Sequence, residues 1–376
     1  MVSQEIEQVL PYVSRLLSAR RKTPFLVMSK ALVSARIGEF RSGHGEVGIF
    51  YAVKANSDAR LVSFMTEQGI GFEVASEQEL GTVLSSGVPG SRIISSHPIK
   101  PPSLIQGAYR AGVRSLVADS LAEVDKIHRY APGSDLMVRL VVDNSGSEWP
   151  LAKKFGVEPE AAVAIFQRGA ELGLKPEGVT FHVGSQCTSE DSWGKALGRV
   201  RGLWSNLADQ GTLLHTLNLG GGFPVKYTRD VPSVPRLMDM VVAQTRALFP
   251  EDVRIQMEPG RALVGDAGTM VSRVIGKAQR GDESWLYLDV GVFNGLMESI
   301  GGIRYDFHTS GSGPVRPWVL AGPSCDAMDV IARDVPMPEP AIGDYVFVMS
   351  AGAYTTCYSS EFNGCRIPQV YLVDES

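Results

Sequence analysis

Phe50-Tyr51-Ala52-Val53-Lys54-Ala55-Asn56-Ser57 reads as a buried, β-rich strand that ends in a single lysine and a polar turn. An ammonium group is costly to bury, so a lysine at the mouth of an apolar strand needs a reason. Two readings stand side by side. In one, the Lys54 side chain snorkels into water from an ordinary strand end. In the other, Lys54 carries a lowered pKa and forms a Schiff base with a carbonyl compound. The surroundings of the stretch decide between them.

Outward from this strand a rhythm appears. Apolar, strand-like runs lie at 49–53, 72–75, 93–95, 115–118, 137–142, 179–183, 217–219 and 255–257. Helix-like stretches at 59–69, 77–86 and 121–130 separate several of them. Eight strands alternating with helices over about 210 residues form the pattern of a (β/α)8 barrel, an α/β fold of TIM type. The segment 143–156 reads as a long loop. After about residue 265 the texture changes to strand-like runs at 269–275, 285–292, 318–321, 345–349 and 370–373, joined by Gly, Pro and Asp. Residues 1–22 have the apolar spacing of an amphipathic helix, and the short run 25–28 is a strand that could join the C-terminal sheet. The expected organisation is therefore a barrel over 30–265, with 1–29 and 266–376 forming a mostly-β domain.

The bulk composition fits this plan. A chain of 376 residues exceeds one ordinary core. Its 44% hydrophobic and 20% charged content is that of a globular protein, and a net charge of −5 argues against a nucleic-acid footprint. No apolar run reaches membrane-spanning length and the first 18 residues are too polar for a signal peptide, so a cytoplasmic location is expected. The four cysteines, Cys187, Cys325, Cys357 and Cys365, form no metal-type pair and read as thiols; no metal site is expected.

In a barrel of this kind the chemistry sits where strands end. Here those positions hold Lys54, Glu73, His182-Val183-Gly184-Ser185, Gly220-Gly221-Gly222-Phe223-Pro224 and Glu258-Pro259-Gly260-Arg261. Each has an ordinary explanation. His182 alone is a satisfied core histidine, the glycines a tight connection, and Glu258 a solvated loop carboxylate. Glycines also let backbone N–H groups cradle a phosphate, and the late strands are the usual phosphate site. Together the residues supply an imine-forming lysine, a phosphate cradle, a flat ring partner and a carboxylate, which is the inventory pyridoxal phosphate requires.

The chain resembles the pyridoxal-phosphate-dependent decarboxylases of the ornithine/diaminopimelate/arginine group, whose barrel is shared with alanine racemase. The resemblance rests on Tyr51-Ala52-Val53-Lys54-Ala55-Asn56, Phe72-Glu73-Val74-Ala75-Ser76, His182-Val183-Gly184-Ser185, Leu219-Gly220-Gly221-Gly222-Phe223-Pro224, Glu258-Pro259-Gly260-Arg261, Gly322-Pro323-Ser324-Cys325-Asp326 and Gly352-Ala353-Tyr354, in family order along nearly the whole chain. It implies that Lys54 binds the cofactor covalently, with Glu73 beside it. His182 stacks on the ring, and Glu258 pairs with the ring nitrogen. Ser185, Gly220, Gly221, Gly222, Arg261 and Tyr354 hold the phosphate. Cys325 protonates Cα after carbon dioxide leaves. It further implies a homodimer with shared active sites, in which Cys325 and Asp326 serve the partner's cofactor.

For the substrate, the resemblance implies a basic L-amino acid, ornithine first and lysine second. Asp306 of Tyr305-Asp306 and Asp326 are the carboxylates expected to hold a distal ammonium, with Tyr305 beside them. Diaminopimelate decarboxylases carry Cys-Glu-Ser at the cysteine and fit less well. Phe293-Asn294-Gly295 and Phe362-Asn363-Gly364 also fit the ornithine-type pattern, although each is ordinary turn chemistry. Glu73 stands where these enzymes usually have aspartate, and Pro150 where eukaryotic members have arginine. The alternatives are a decarboxylase of a modified diamino acid in secondary metabolism, diaminopimelate decarboxylase, an amino-acid racemase, and an inactive regulatory homologue.

Overall fold

The computed structural model describes residues 4–150 and 154–373. It divides into two compact units: Ile37–Pro224 with Pro232–Gly260, and Met1–Arg36 with Val225–Val231 and Arg261–Ser376. Among the described residues, no helix is long and apolar enough to cross a membrane.

The chain's first strand, β1 (Phe25–Ser29), belongs to the second unit. The first unit holds the eight expected barrel strands: β2 (Gly48–Ala52), β3 (Gly71–Glu73), β4 (Ile93–Ile94), β5 (Ser115–Ala118), β6 (Asp135–Arg139), then, after β7 (Ser147–Trp149), β8 (Lys175–Thr180), and, after β9 (Ser185–Cys187), β10 (Thr216–Asn218) and β11 (Arg254–Met257). They pair in parallel in the order β4-β3-β2-β11-β10-β8-β6-β5. A single bridge between Ser95 and Leu116 joins the two ends, with Ser95 N donating to Ser115 O at 3.2 Å and Val117 N to Ser95 O at 3.1 Å. The sheet thus closes on itself and leaves no long edge, as the alternating pattern requires.

Local chemistry sets the helices between strands. Ser76 caps Glu77–Ser85 by accepting from Glu79 N, while the Glu79 carboxylate reaches back to Ala75 N at 2.6 Å, a capping-box arrangement. Ser120 caps Leu121–Tyr130 by accepting from Glu123 N. Its helix carries Glu123, which holds the fully buried Lys100 at 3.0 Å.

The strands stop earlier than the apolar runs suggest. Lys54 lies beyond β2, in a one-turn 3-10 helix (Val53–Ala55) closed by Asn56 N on Val53 O at 3.1 Å. His182 likewise follows β8 by two residues. At the barrel mouth the backbone leaves the sheet while its side chains stay in the core: Val53, Ala55 and Val183 are all buried. The segment expected as one long loop contains β7, which pairs antiparallel with β9; residues 151–153 of it lie outside the described residues.

The second unit is an eight-stranded sheet. Its path runs β14 (Phe307–Thr309), β17 (Tyr345–Val348), β12 (Gly268–Arg280), β13 (Glu283–Leu288), β15 (Val315–Ala321) and β16 (Val330–Pro338). β1 does join it, antiparallel to β12 and parallel to β18 (Gln369–Val373). Phe25, Val27, Val271, Phe347 and Met349 form a buried cluster there, joined by Val13 of the N-terminal helix Gln4–Ser18. β14 and β16 gave no clear sequence signal. β16 contains Pro336 and Pro338, residues a strand tolerates at a sheet edge, which is where it lies.

Candidate active site

In the barrel unit the expected residues converge at the ends of the strands. Lys54 Nζ lies 4.0 Å from Glu73 Oε2. Glu73 is 2% exposed, and Oε2 is a buried atom with no hydrogen-bond partner. Burial raises its pKa to about 7; Lys54 works against that rise and Glu258 adds to it.

Glu258 follows β11 and is also buried. Two donors meet one of its oxygens: Asn218 Nδ2 reaches Oε1 at 2.6 Å, and Ser96 Oγ donates to the same atom. Asn218 does a second job, since its Oδ1 accepts from Gly220 N at 2.9 Å. Glu258 N in turn donates to Gly220 O at 2.8 Å. One fully buried asparagine therefore ties the carboxylate to the glycine turn.

That turn admits no side chain. Gly220 and Gly222 have φ of +65° and +99°, a region that favours glycine. A Cβ on Gly220 would fall 2.1 Å from Phe181 O, and one on Gly221 2.6 Å from Glu258 O. His182 lies beside the turn, its Nε2 3.4 Å from the Cβ position of Gly221. Gly184 N donates to its Nδ1 at 3.0 Å, so that nitrogen is an acceptor. Desolvation, with the cations Arg139 and Lys54 nearby, holds the imidazole well below its ordinary pKa. The ring is thus neutral at physiological pH, suited to lie against a cationic heterocycle. Ser185 opens β9, half-buried.

The second unit carries the remaining residues. The Arg261 guanidinium is buried and pairs bidentately with Glu298, Nη1 and Nη2 each at 2.6 Å, while Nη1 also donates to Tyr227 Oη at 2.6 Å. It lies 4.8 Å above the Tyr354 ring. Burial works against its charge, but Tyr227, Glu298 and Tyr354 hold it protonated, well above an ordinary guanidinium. Tyr305 is buried with its rings packed against Tyr227 at 5.5 Å, and burial pushes its hydroxyl well up. Asp306 is 47% exposed and lines a cavity of about 800 Å³. Cys325 and Asp326 sit on an exposed turn. Asn363, at φ 56°, accepts from Cys325 N at 3.0 Å, and the buried Asp329 accepts from Ser324 N at 2.9 Å and Val292 N at 2.7 Å. The Phe362-Asn363-Gly364 turn therefore anchors the cysteine loop.

Sequence reasoning missed Ser96, Asn218, Arg139, Glu298 and Asp329. Arg139 ends β6, half-buried, with the carboxylates Glu258, Asp119 and Glu73 offsetting its burial.

These features fit pyridoxal phosphate. The turn at Gly220–Gly222 is shaped for close backbone approach, Glu258 presents an oriented carboxylate, and the Glu73 carboxylate carries an unsatisfied buried oxygen beside Lys54. The family model described as "Pyridoxal-dependent decarboxylase, pyridoxal binding domain" matches residues 30–265. The chain belongs to this family, and its cofactor is pyridoxal phosphate. A lysine/ornithine decarboxylase of Selenomonas ruminantium is 35% identical over 96% of this chain and 92% of its own length. Among solved structures, a lysine/ornithine decarboxylase from Vibrio vulnificus complexed with cadaverine superposes with a TM-score of 0.91 at 30% identity, covering 100% of each chain. A Paramecium bursaria Chlorella virus arginine decarboxylase gives 0.90 at 28% identity, covering 97% of this chain and 100% of its own.

The raised pKa of Glu73 has a consequence for stability. Between 4.5, the unfolded value, and about 7, the folded carboxyl keeps a proton that the unfolded one releases. Stability of the cofactor-free protein is therefore expected to fall as pH rises through that window, by at most about 1.4 kcal/mol per pH unit from this proton. Glu73→Gln should flatten the slope, read as urea midpoints across the window. An unchanged slope would mean that Glu73 is ionised in the folded chain.

Proposed function

We propose that the protein decarboxylates a basic L-amino acid, L-ornithine first and L-lysine second, as a homodimer with shared active sites. The observation that carries the substrate reading is Asp306, a carboxylate that is half exposed on the wall of a cavity of about 800 Å³ and follows the buried Tyr305. A carboxylate so placed suits a distal ammonium. The relatives named lysine/ornithine decarboxylase support the same choice.

Pyridoxal phosphate, when bound, supplies the electron sink for the pair left on Cα as carbon dioxide departs. The residues do the rest. Lys54 Nζ would provide the covalent attachment for the cofactor. Glu258, its carboxylate aimed by Asn218 and Ser96, would hold a proton at the ring nitrogen. Neutral His182 would cover one ring face. The amides of Gly220–Gly222 and Ser185 would hold the phosphate, a role the resemblance also gives to Arg261 and Tyr354. Cys325 delivers the proton to Cα, and Asp306 with Asp326 holds the distal ammonium. The exposed Met328 and Phe362 beside the Cys325 turn support burial of that surface against a second copy.

A larger basic tail is the second reading, favoured by the cavity's size. Carbon dioxide release from ornithine, lysine, arginine and diaminopimelate, ranked by kcat/KM, tests both. Ornithine or lysine should lead. Arginine in first place would favour the second reading, and release from diaminopimelate alone would overturn both.

A further inference from the structure

The residue that accompanies Asp306 has no part in the site described so far. His308 Nε2 lies 2.9 Å from Asp306 Oδ2. A carboxylate can only accept, so Nε2 carries the hydrogen. Among the described residues, His308 is the one side chain hydrogen-bonded to Asp306. The other charged side chains on the cavity wall are Arg304, Arg333 and Asp334, and Arg333 is engaged with Glu283 at 2.7 Å.

The backbone fixes this pair. Asp306 O accepts from Met349 N at 2.9 Å, and His308 is registered against Phe347 in β17. Two residues apart on an extended segment, Asp306 and His308 come together through their side chains, while Phe307 between them is buried and also lines the cavity. Asp306 lines the cavity and His308 does not, so the imidazole supports the carboxylate without occupying the space in front of it. One oxygen is thus committed to His308, which leaves the other for whatever enters the cavity.

We propose that His308 is a specificity-determining positioning residue, orienting Asp306 so that one carboxylate oxygen is presented to the distal ammonium of the substrate. This rests on the reading of Asp306 given above. His308 holds the acceptor in one rotamer before substrate arrives, so the ammonium meets an oriented oxygen rather than a freely rotating one. A tail without an ammonium gains nothing from that arrangement. The histidine therefore acts on recognition of the diamino tail and not on proton transfer at Cα.

The test compares His308→Phe, His308→Gln and Asp306→Asn in the cofactor-loaded protein. His308→Phe should raise KM for ornithine and lysine and the inhibition constant of putrescine by roughly tenfold, the loss of one hydrogen bond to a charged group. Its kcat should change by less than about threefold, and its inhibition by butylamine should not move. His308→Gln, which keeps an N–H donor, should recover most of the loss and also serves if the phenylalanine variant does not fold. If both His308 variants leave KM and putrescine inhibition unchanged while Asp306→Asn raises them, His308 does not position the carboxylate and the proposal fails alone. If Asp306→Asn itself changes neither, the reading of Asp306 fails and the proposal with it. Equal losses for putrescine and butylamine would also overturn it, since that pattern marks general disruption.

Discussion

Replacing Lys54 by alanine is expected to abolish the visible absorbance of the purified protein and to lower turnover by about four orders of magnitude or more. The size follows from how firmly that position is held. Ala52 N donates to Pro259 O at 3.1 Å, and Tyr51 Oη donates to Asn56 O at 2.8 Å on the far side of the turn. Gly260 has no room for a side chain without crowding Ala55 and Ala52, at 3.0 Å and 3.3 Å. Cofactor should still bind non-covalently through the glycine turn and Glu258, so dialysis should remove it from the variant faster than from wild type. Borohydride should fix the cofactor to wild-type protein and not to the variant. A variant that kept both its absorbance and its turnover would return Lys54 to an ordinary surface lysine and sink the assignment.

The barrel was legible because its signal is repeated. Eight apolar runs at regular intervals survive errors at any one of them; some runs extend past the strand ends, and some strands begin in polar residues before the run, as β8 does at Lys175. Val53, Val183 and their neighbours are buried outside regular strands, and burial is what an apolar run reports. In the second unit the signal is weaker. β14 is three residues long, and β16 buries just Ile331 and Met337 of its nine residues and carries two prolines, so neither stands out against the surrounding turns. The same division runs through the site. Lys54, His182 and Glu258 are single chemical groups at the ends of recognisable runs. Ser96 and Asn218 act through a carboxylate 162 and 40 residues away, and only the pairing of strands brings them to it. Glu298 reaches Arg261 from 37 residues downstream in a three-residue turn with no periodicity. Asn218 had one available hint, its place immediately before Leu219-Gly220-Gly221-Gly222. Asn363 was read in the sequence as ordinary turn chemistry, and its left-handed backbone agrees; what the sequence does not reveal is that its carbonyl oxygen receives the Cys325 amide.

Cys325→Ala should lose turnover by about two to four orders of magnitude while keeping its full complement of cofactor. A proton must reach Cα after carbon dioxide leaves, and a thiol suits the task because its pKa lies within a few units of neutrality. The alternative is that Cys325 is a small apolar residue in a turn, in which case alanine would be nearly silent. Its exposure argues against simple packing, and the Asn363 and Asp329 contacts argue for a loop built to hold one orientation. An exposed acid on a fixed loop needs a site to act on, which on the present proposal belongs to a second copy. Mixing Lys54→Ala chains with Cys325→Ala chains then gives heterodimers in which one site has both residues intact and the other has neither. With random exchange half the dimers are mixed and one of their two sites works, so activity should recover to about a quarter of wild type at most. Subunit exchange is monitored separately, with differently tagged chains captured together. Recovery above the two parents would show that the lysine and the cysteine of one working site come from different chains. No recovery, with exchange demonstrated, would mean that each site is built within a single chain, and Cys325 would then have to be sought near its own Lys54.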